Sequence, residues 1–600
     1  MKIPKEAKIV VEKMKEAGFE AFFVGGCVRD SLMGKEPKDW DVTTNATPEQ
    51  IQKVFSENVA GSSADDAKDF STFYENNFGT VSIVTNSEEK SLKIIEITPY
   101  RLEGKYTDKR HPDEVRFAEK LEDDLSRRDF TVNAMALESD GKEWKVIDLF
   151  NEKKDLENKV IRTVGEAEKR FGEDALRLMR AVRFASVLGF AIEEKTEQAI
   201  KKLSATLEFV SKERIRDEFE KIIMSDNASF GIRKMEELGL LRFVVPELRD
   251  GIGVVGVTKQ KKSHIKYDEL TVFEHNLLTL DYAAKNNFNL ETRLAALFHD
   301  IAKPATKRGE GLEASFKAHE QVGGRMTLRI MDRLHFPKKV VEKVGLLVRW
   351  HFFFYNTNEV TDAGVRRLIS NAGSENMADL LRLREADRSG SGLPKISPYR
   401  LQHLRYMIER VSRDPIQPKM MKLRGNDLMD LIGVKSGPKI GWILNALLEE
   451  VLDDPNKNDK EYLSNRAEEL AKLSDKELEN ISEQARSKKN ELEEKIDGNI
   501  INRIGNPIGA YFGYKAIGIY RTEADLQRTN SKGEVIKQNG VAPKLGDIMY
   551  ADLDDNGNIT PEDRDIIGNP FPKYSYSFNL GASWKNFDLS TFWQGVGGIY

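Results

Sequence analysis

Apolar residues in the first 145 positions come in short runs broken by polar and glycine-rich turns. "AFFVGG", "GTVSIV", "KIIEITPYR" and "FTVNAMAL" have the length and the β-branched or aromatic content of strands or strand ends. The opening "MKIPKEAKIVVEKMKEAGFEAFFV" reads as an amphipathic helix entering a strand. It lacks the uninterrupted apolar stretch and small-residue cleavage site of a signal peptide. From about 146 the period lengthens. "GEDALRLMRAVRFASVLGF" carries apolar residues at helical spacing, with Gly189 near its end. Helical spacing continues to about 475, with a Gly/Pro break at "GVKSGPKIG". Residues 460–495 are charge-rich and read as an exposed helix or linker. From about 498 Gly, Asn, Tyr and Phe take over, and "YSYSFNLGASW" and "FDLSTFW" alternate as strands do.

Six hundred residues exceed what one core supports, so several domains are expected. The net charge of -5 argues against a nucleic-acid coat over the whole surface, while 93 Lys and Arg leave room for a local basic face. A single cysteine, Cys27, allows no intrachain disulfide and fits a reducing, cytoplasmic setting. No run approaches the 18 apolar residues of a transmembrane helix.

The stretch "GGCVRDSLMGKEPKDWDVTT" holds the first candidate chemistry. On a strand, residues i and i+2 share a face, so an extended "DWDVTT" places Asp39 and Asp41 together and Trp40 opposite. Two convergent carboxylates suit Mg²⁺, and Glu96 in "KIIEITPYR" can complete the site. Gly25 and Gly26 allow close backbone approach to phosphate. A bare Asp-x-Asp is otherwise a solvated turn. Further on, His275, His299 with Asp300, His319, His351 and Asp387 form an ordered ligand-type series. "DLDDNGNITPED" fits a calcium loop, with Asp552, Asp554, Asn556, Asn558 through its carbonyl, and Asp563 as ligands. Asp563 stands where such loops usually carry Glu.

The first stretch, with "DKRHPDEVRFAEKLEDDLSRRDFTVNAMAL", "GEDALRLMRAVRFASVLGF" and "LRGNDLMDLIGVKSGPKIGWILNALLEEVL" in that order, resembles the CCA-adding tRNA nucleotidyltransferase and bacterial poly(A) polymerase family over residues 1 to about 475. "LFHDIAKP" and its neighbours look like an HD-type phosphohydrolase domain. The resemblance implies a multidomain fold. An α/β nucleotidyltransferase head with a mixed sheet (1–145) is followed by an all-α neck (146–250), an HD domain (251–400), a helical body (401–475) and a charged helical linker (476–497). It implies that Asp39 and Asp41 hold the two catalytic metal ions, Mg²⁺, and that Arg29 and Asp30 lie beside the triphosphate. Arg128 and Asp129, with Arg127 nearby, would meet the sugar and phosphates. In the HD domain the implied cofactor is a divalent transition metal or Mg²⁺.

Asp174 and Arg177 in "EDALR" are i and i+3 and would share a helix face. A carboxylate only accepts and a guanidinium only donates, so the pair matches the pairing edges of cytosine and adenine and mismatches uracil and guanine. Unpaired polar groups in a closed site cost about 1–3 kcal/mol each, enough to discriminate. The implied function is addition of C and A from CTP and ATP to the tRNA 3′ end, with no membrane partner for residues 1–475. The alternatives are a poly(A) polymerase, or an HD phosphohydrolase with an RNA-binding N-terminal half. The "GRRFRLxH"-like stretch usual in poly(A) polymerases has no match in "GSSADDAKDFSTFYENNFGTVSIV", which favours tRNA. Residues 498–600 resemble instead the late barrel region of SusC/RagA-type outer-membrane transporters. We read them as foreign to the rest and too short to close a barrel.

Overall fold

The computed structural model describes residues 3–56, 70–74, 79–103, 115–139, 143–255, 270–309, 314–353, 361–390, 398–490, 495–497, 500–502, 510–538, 540–560, 563–568, 574–584 and 587–597. Most of "GSSADDAKDFSTFYENNF" and the "DKRHPDE" start of the second motif lie outside them. The chain divides into two compact units, 1–352 with 375–396, and 353–374 with 397–600.

The first unit opens with α1 (Lys5–Glu16), β1 (Ala21–Val24), α2 (Gly26–Leu32), β2 (Trp40–Thr44), α3 (Pro48–Ser56), β3 (Ser71–Tyr74), β4 (Val81–Val84) and β5 (Ile94–Pro99). A short hairpin, β6 (Arg101–Glu103) and β7 (Val115–Phe117), leads to α4 (Leu121–Ser126), β8 (Ala136–Ser139) and β9 (Trp144–Ile147). Seven strands form one sheet in the order β3-β4-β5-β2-β1-β8-β9. It is mixed, as expected: β2 and β5 run parallel and their neighbours antiparallel. All four β1 residues are buried, because a central strand is covered on both faces. The buried face of α1 (Ala7, Val10, Val11, Met14) joins Phe23, Trp40, Ile83, Ile95 and Ile97 in one core.

The neck begins with α5 (Glu152–Glu157), β10 (Val160–Ile161), α6 (Ala167–Glu173), α7 (Leu176–Leu188), β11 (Ala191–Ile192), α8 (Glu194–Leu203), α9 (Lys212–Ile223), α10 (Ala228–Glu237) and α11 (Leu241–Val244). Gly189 ends α7 in the left-handed conformation (φ 70°) that favours glycine. The charged run at 211–223 forms α9, and one face of it is core: Ile215, Glu218, Phe219, Ile222 and Ile223 are buried. A five-helix layer then carries the histidines: α12 (Val272–Lys285), α13 (Leu290–Phe298), α15 (His319–Arg333), α16 (Lys338–Trp350) and α18 (Met377–Gly390), with the one-turn α14 (Lys303–Thr306) between.

The second unit contains α17 (Asp362–Ala372), α19 (Pro398–Val411), α20 (Gly425–Ile432), α21 (Pro438–Asp453), α22 (Lys460–Ala471) and α23 (Asp475–Asn490). The charged stretch that patterned as an exposed helix or linker contains α23. It buries Leu478, Ser482 and Ala485, and its Ser482 bonds Asn445 of α21 at 3.3 Å. Strands begin just before residue 498: β12 (Lys495–Asp497), β13 (Ile500–Asn502), β14 (Ala510–Tyr514) and a later strand, Arg564–Gly568, form a four-stranded sheet. Tyr574–Trp584 and Phe587–Gly597 form a hairpin. Among the described residues the strands of this region form small separate sheets and no closed barrel, and no helix is long and apolar enough to cross a membrane.

Candidate active site and metal centres

The head site is built on the parallel pair β2/β5. Asp41 stands opposite Glu96 in register, so the two carboxylates share a face, while Trp40 is buried in the core 5.0 Å from Phe23. Asp39 lies just before β2, exposed, so the strand does not include it as the i/i+2 argument required. It still acts electrostatically on Asp41. Burial, then Asp39 and Glu96, push the Asp41 carboxyl up to about 7, while Arg128 pulls the other way. Such crowding of acids favours a divalent cation. Gly25, with φ 79°, closes the same pocket: a Cβ there would lie 3.2 Å from Arg128 Nη1 and 3.6 Å from Asp41 Oδ2.

The remaining head residues are held from behind. Arg29 is buried, pairs with Asp30 at 2.7 Å and donates to Asn133 Oδ1 at 2.6 Å. Gly26 begins α2. Asp129 is turned to the neck, where Arg180 of α7 donates to it at 2.7 Å. Burial would raise the Asp129 pKa, but Arg180 and Arg177 outweigh it and hold it below its ordinary value.

The base-reading pair needs a correction. Asp174 is not helical: its backbone is extended (φ -136°, ψ 109°), between the end of α6 and the start of α7 at Leu176. Its carboxylate accepts from the Leu176 N–H at 3.0 Å, as helix-capping acids do, and from Arg214 of α9 at 2.9 Å. Arg177 pairs with Glu173 at 2.6 Å and donates to the Arg170 carbonyl. Each member is thus oriented by a partner that sequence reading missed. Arg214 sits in the mixed-charge run 211–223, and its charge was the only signal of it.

The histidine series does converge. His275 (α12), His299 and Asp300 (end of α13), His319 (start of α15), His351 (end of α16) and Asp387 (α18) are drawn from five helices. Asp300 is central. Its Oδ2 lies 3.4 Å from His275 Nε2 and 3.3 Å from His299 Nε2; its Oδ1 lies 3.4 Å from His319 Nε2 and 3.7 Å from His351 Nε2. Asp387 Oδ1 is 3.2 Å from His275 Nε2 and 3.6 Å from His299 Nε2. His299, His319 and His351 each point Nδ1 at the carbonyl three residues back, Ala296, Phe316 and Val348. A carbonyl only accepts, so each neutral ring carries its proton on Nδ1 and turns the Nε2 lone pair inward. His275 Nε2 and His299 Nε2 face each other at 2.9 Å, a hydrogen bond whose direction depends on which ring carries the proton. Two groups of three, His275/His299/Asp300 and Asp300/His319/His351, each keep one ligand atom per residue within 4.8 Å. Burial would lower the His299 pKa, but Asp300 and Asp387 overcome it and raise it to about 10. Burial dominates at His351 and lowers it to about 4.

The third group is Asp552, Asp554 and Asp563. Gly557 takes φ 77° at loop position six, as a calcium loop requires. Loop amides already occupy much of the ligand set. Asp563 accepts from Leu553 and Thr560 N–H, Asp552 from Asn556 and Gly557 N–H, and Asn556 Oδ1 from Asn558 N–H. The Asn558 side chain accepts from Gly540 N–H at 2.7 Å.

Three family matches follow the same order along the chain: "Poly A polymerase head domain" at 21–162, "Probable RNA and SrmB- binding site of polymerase A" at 189–252 and "HD domain" at 272–389. A CCA-adding enzyme of Ligilactobacillus salivarius (strain UCC118) is 34% identical over 468 residues, 78% of this chain and 96% of the relative. One from Lactobacillus helveticus (strain DPC 4571) is 46% identical over 217 residues, 36% of this chain and 49% of the relative. The crystal structure of the Bacillus stearothermophilus CCA-adding enzyme in complex with CTP matches with TM-score 0.55 and 27% identity, covering 78% of this chain and 98% of that one. The transporter resemblance of residues 498–600 is not borne out by these matches. With a relative matched over nearly its whole length and the head and HD domains matched in order, the chain belongs to the CCA-adding enzyme family.

Proposed function

We propose that the chain adds C and A from CTP and ATP to the tRNA 3′ end, releasing pyrophosphate, with Asp39, Asp41 and Glu96 as the metal-binding acids. The observation that carries this is the parallel register placing Asp41 beside Glu96, with Arg128 Nη1 and Asp41 Oδ2 both close to Gly25, whose missing side chain leaves the space open. Mg²⁺ bound there supplies charge neutralisation for the triphosphate and a lowered pKa for the attacking hydroxyl. Arg128 and Arg29 present guanidinium donors to phosphate. Asp174 accepts from, and Arg177 donates to, the base edge, with Arg214 and Glu173 holding them in place. The CTP-bound relative supports the choice of nucleotide.

The test is incubation with Mg²⁺, labelled CTP or ATP, and tRNA transcripts ending before C, CC and CCA. Stepwise addition of C, C and A is expected. Addition to none of them refutes the reading, and A-tailing without C would make the chain a poly(A) polymerase.

A second reading, of the histidine cluster, rests on Asp300 presenting one oxygen to each of two ligand groups. It supports two divalent ions, transition metal or Mg²⁺, and phosphoester hydrolysis beside Lys303 and Arg384, which pair with Asp300 and Asp387. Calcium at 552–563 is the weaker third site, since its acids are largely spent on loop amides. Calorimetric titration with Ca²⁺ of the wild-type chain against Asp552→Ala decides it.

A further inference from the structure

Asp124, on α4, belongs to none of the sets above, yet its carboxylate is fully buried. Oδ1 accepts from Arg127 at 2.9 Å (Nε) and 2.6 Å (Nη2). Oδ2 accepts from Arg128 Nη2 at 3.3 Å, and the Thr43 hydroxyl lies 3.3 Å from it, its one hydrogen shared with the Thr98 carbonyl at 3.1 Å. Thr43 is two residues beyond Asp41 on β2 and so lies on the same face of the strand. Asp124 thereby ties both arginines to the strand that carries the metal-binding acid.

We propose that Asp124 is a positioning residue for nucleotidyl transfer, holding Arg128 so that its Nη1 faces the gap between Gly25 and Asp41 where the triphosphate binds. This rests on the nucleotidyl-transfer reading above. Arg128 Nη1 donates to the Asn133 carbonyl at 3.3 Å and is the atom nearest a Gly25 Cβ. Arg128 Nε is buried without a hydrogen-bond partner. The competing partner is close at hand. Arg128 acts on Asp41 electrostatically, and a guanidinium with no other acid pairs readily with such a carboxylate. That pairing would neutralise a metal ligand and remove a phosphate donor at once. Asp124 gives Arg128 an acid that is not a metal ligand. Burial alone would raise the Asp124 pKa, but Arg128 and Arg127 outweigh it, so the group stays ionised.

The experiment is steady-state addition to tRNA by Asp124→Asn, which keeps the shape and removes the charge. The KM for CTP and ATP and the Mg²⁺ concentration for half-maximal rate are each expected to rise about tenfold or more, with KM for tRNA within about twofold. A buried acid that served only folding would not raise the Mg²⁺ requirement selectively. Unchanged nucleotide KM and Mg²⁺ requirement overturn the proposal, as does a KM for tRNA that rises in step. Should Asp124→Asn fail to fold, Thr43→Val removes one bond to Asp124 and keeps its charge. The same two constants are then expected to rise about two- to fivefold, and no change overturns the proposal. A wild-type chain that adds no nucleotide sinks the transfer reading separately. Binding of a fluorescent CTP analogue with Mg²⁺, compared between wild type and Asp124→Asn, then decides the role of Asp124.

Discussion

Asp41 shows how one residue's environment converts into a measurable pH dependence. Its folded pKa of about 7 lies above its ordinary value of 3.8. Between those values the folded chain holds a proton that the unfolded chain has released, so this group's contribution to stability falls as pH rises from about 4 to about 7. In EDTA the wild-type melting temperature is expected to drop across that window relative to Asp41→Asn. Parallel curves for the two would refute the assignment. Mg²⁺ must displace the same proton, so its affinity should weaken about tenfold per pH unit below 7 and level off above. Asp174 offers a second residue-scale test. Arg214→Ala removes the guanidinium that orients it, and selectivity for CTP and ATP over UTP and GTP should fall about tenfold or more. Competition assays that show unaltered selectivity would leave Arg214 a surface ion pair.

At the scale of elements, the β1–α2 turn and the β2/β5 register position the head site. Gly25→Ala puts a side chain at φ 79° and 3.2 Å from Arg128, so a loss of about 1–2 kcal/mol is expected, together with weaker nucleotide binding. Urea denaturation and CTP titration of the variant read both; a variant equal to wild type in each removes Gly25 from the site. The strands of the head were legible from short apolar runs, and α7 from its helical spacing and Gly189. The buried faces of α9 and α23 were not legible, because dense charge on the outer faces masked the inward-facing residues at i, i+4 and i+7. Ile215, Phe219 and Ile222 bury one face of α9, and Leu478, Ser482 and Ala485 one face of α23. The start of α7 was misplaced because Asp174 caps the turn and a capping acid looks like any other in sequence.

For the whole molecule, the head and the histidine cluster are separate chemical centres within one compact unit. Asp300→Ala removes the carboxylate shared by both ligand groups, so calorimetry should show loss of both ions while tRNA addition stays within about twofold of wild type. His351→Ala should cost one ion only. Addition lost along with the ions would tie the two centres together. Residues 498–600 have no place in the proposed chemistry, and a chain ending at residue 490 is expected to add nucleotides at the wild-type rate. Sequencing independent genomic DNA across the junction near 490 tests whether they are foreign; a stop codon there would show that they are.

The sequence by itself marked the candidate chemistry of this protein. Spacing and residue type marked the clustered acids of the head and the ligand-type histidines, because ligand identity is local information. It determined most elements too, since apolar periodicity is a local consequence of burial. Tertiary structure decided the partners. Asp41 meets Glu96 through a parallel register, Asp174 meets Arg214 across 40 residues, and Asp300 meets histidines from three helices besides its own neighbour. Asp124, buried beneath two arginines, carried no pattern at all. Long-range pairing of charges is selected by packing and desolvation, and neither leaves a period in the chain.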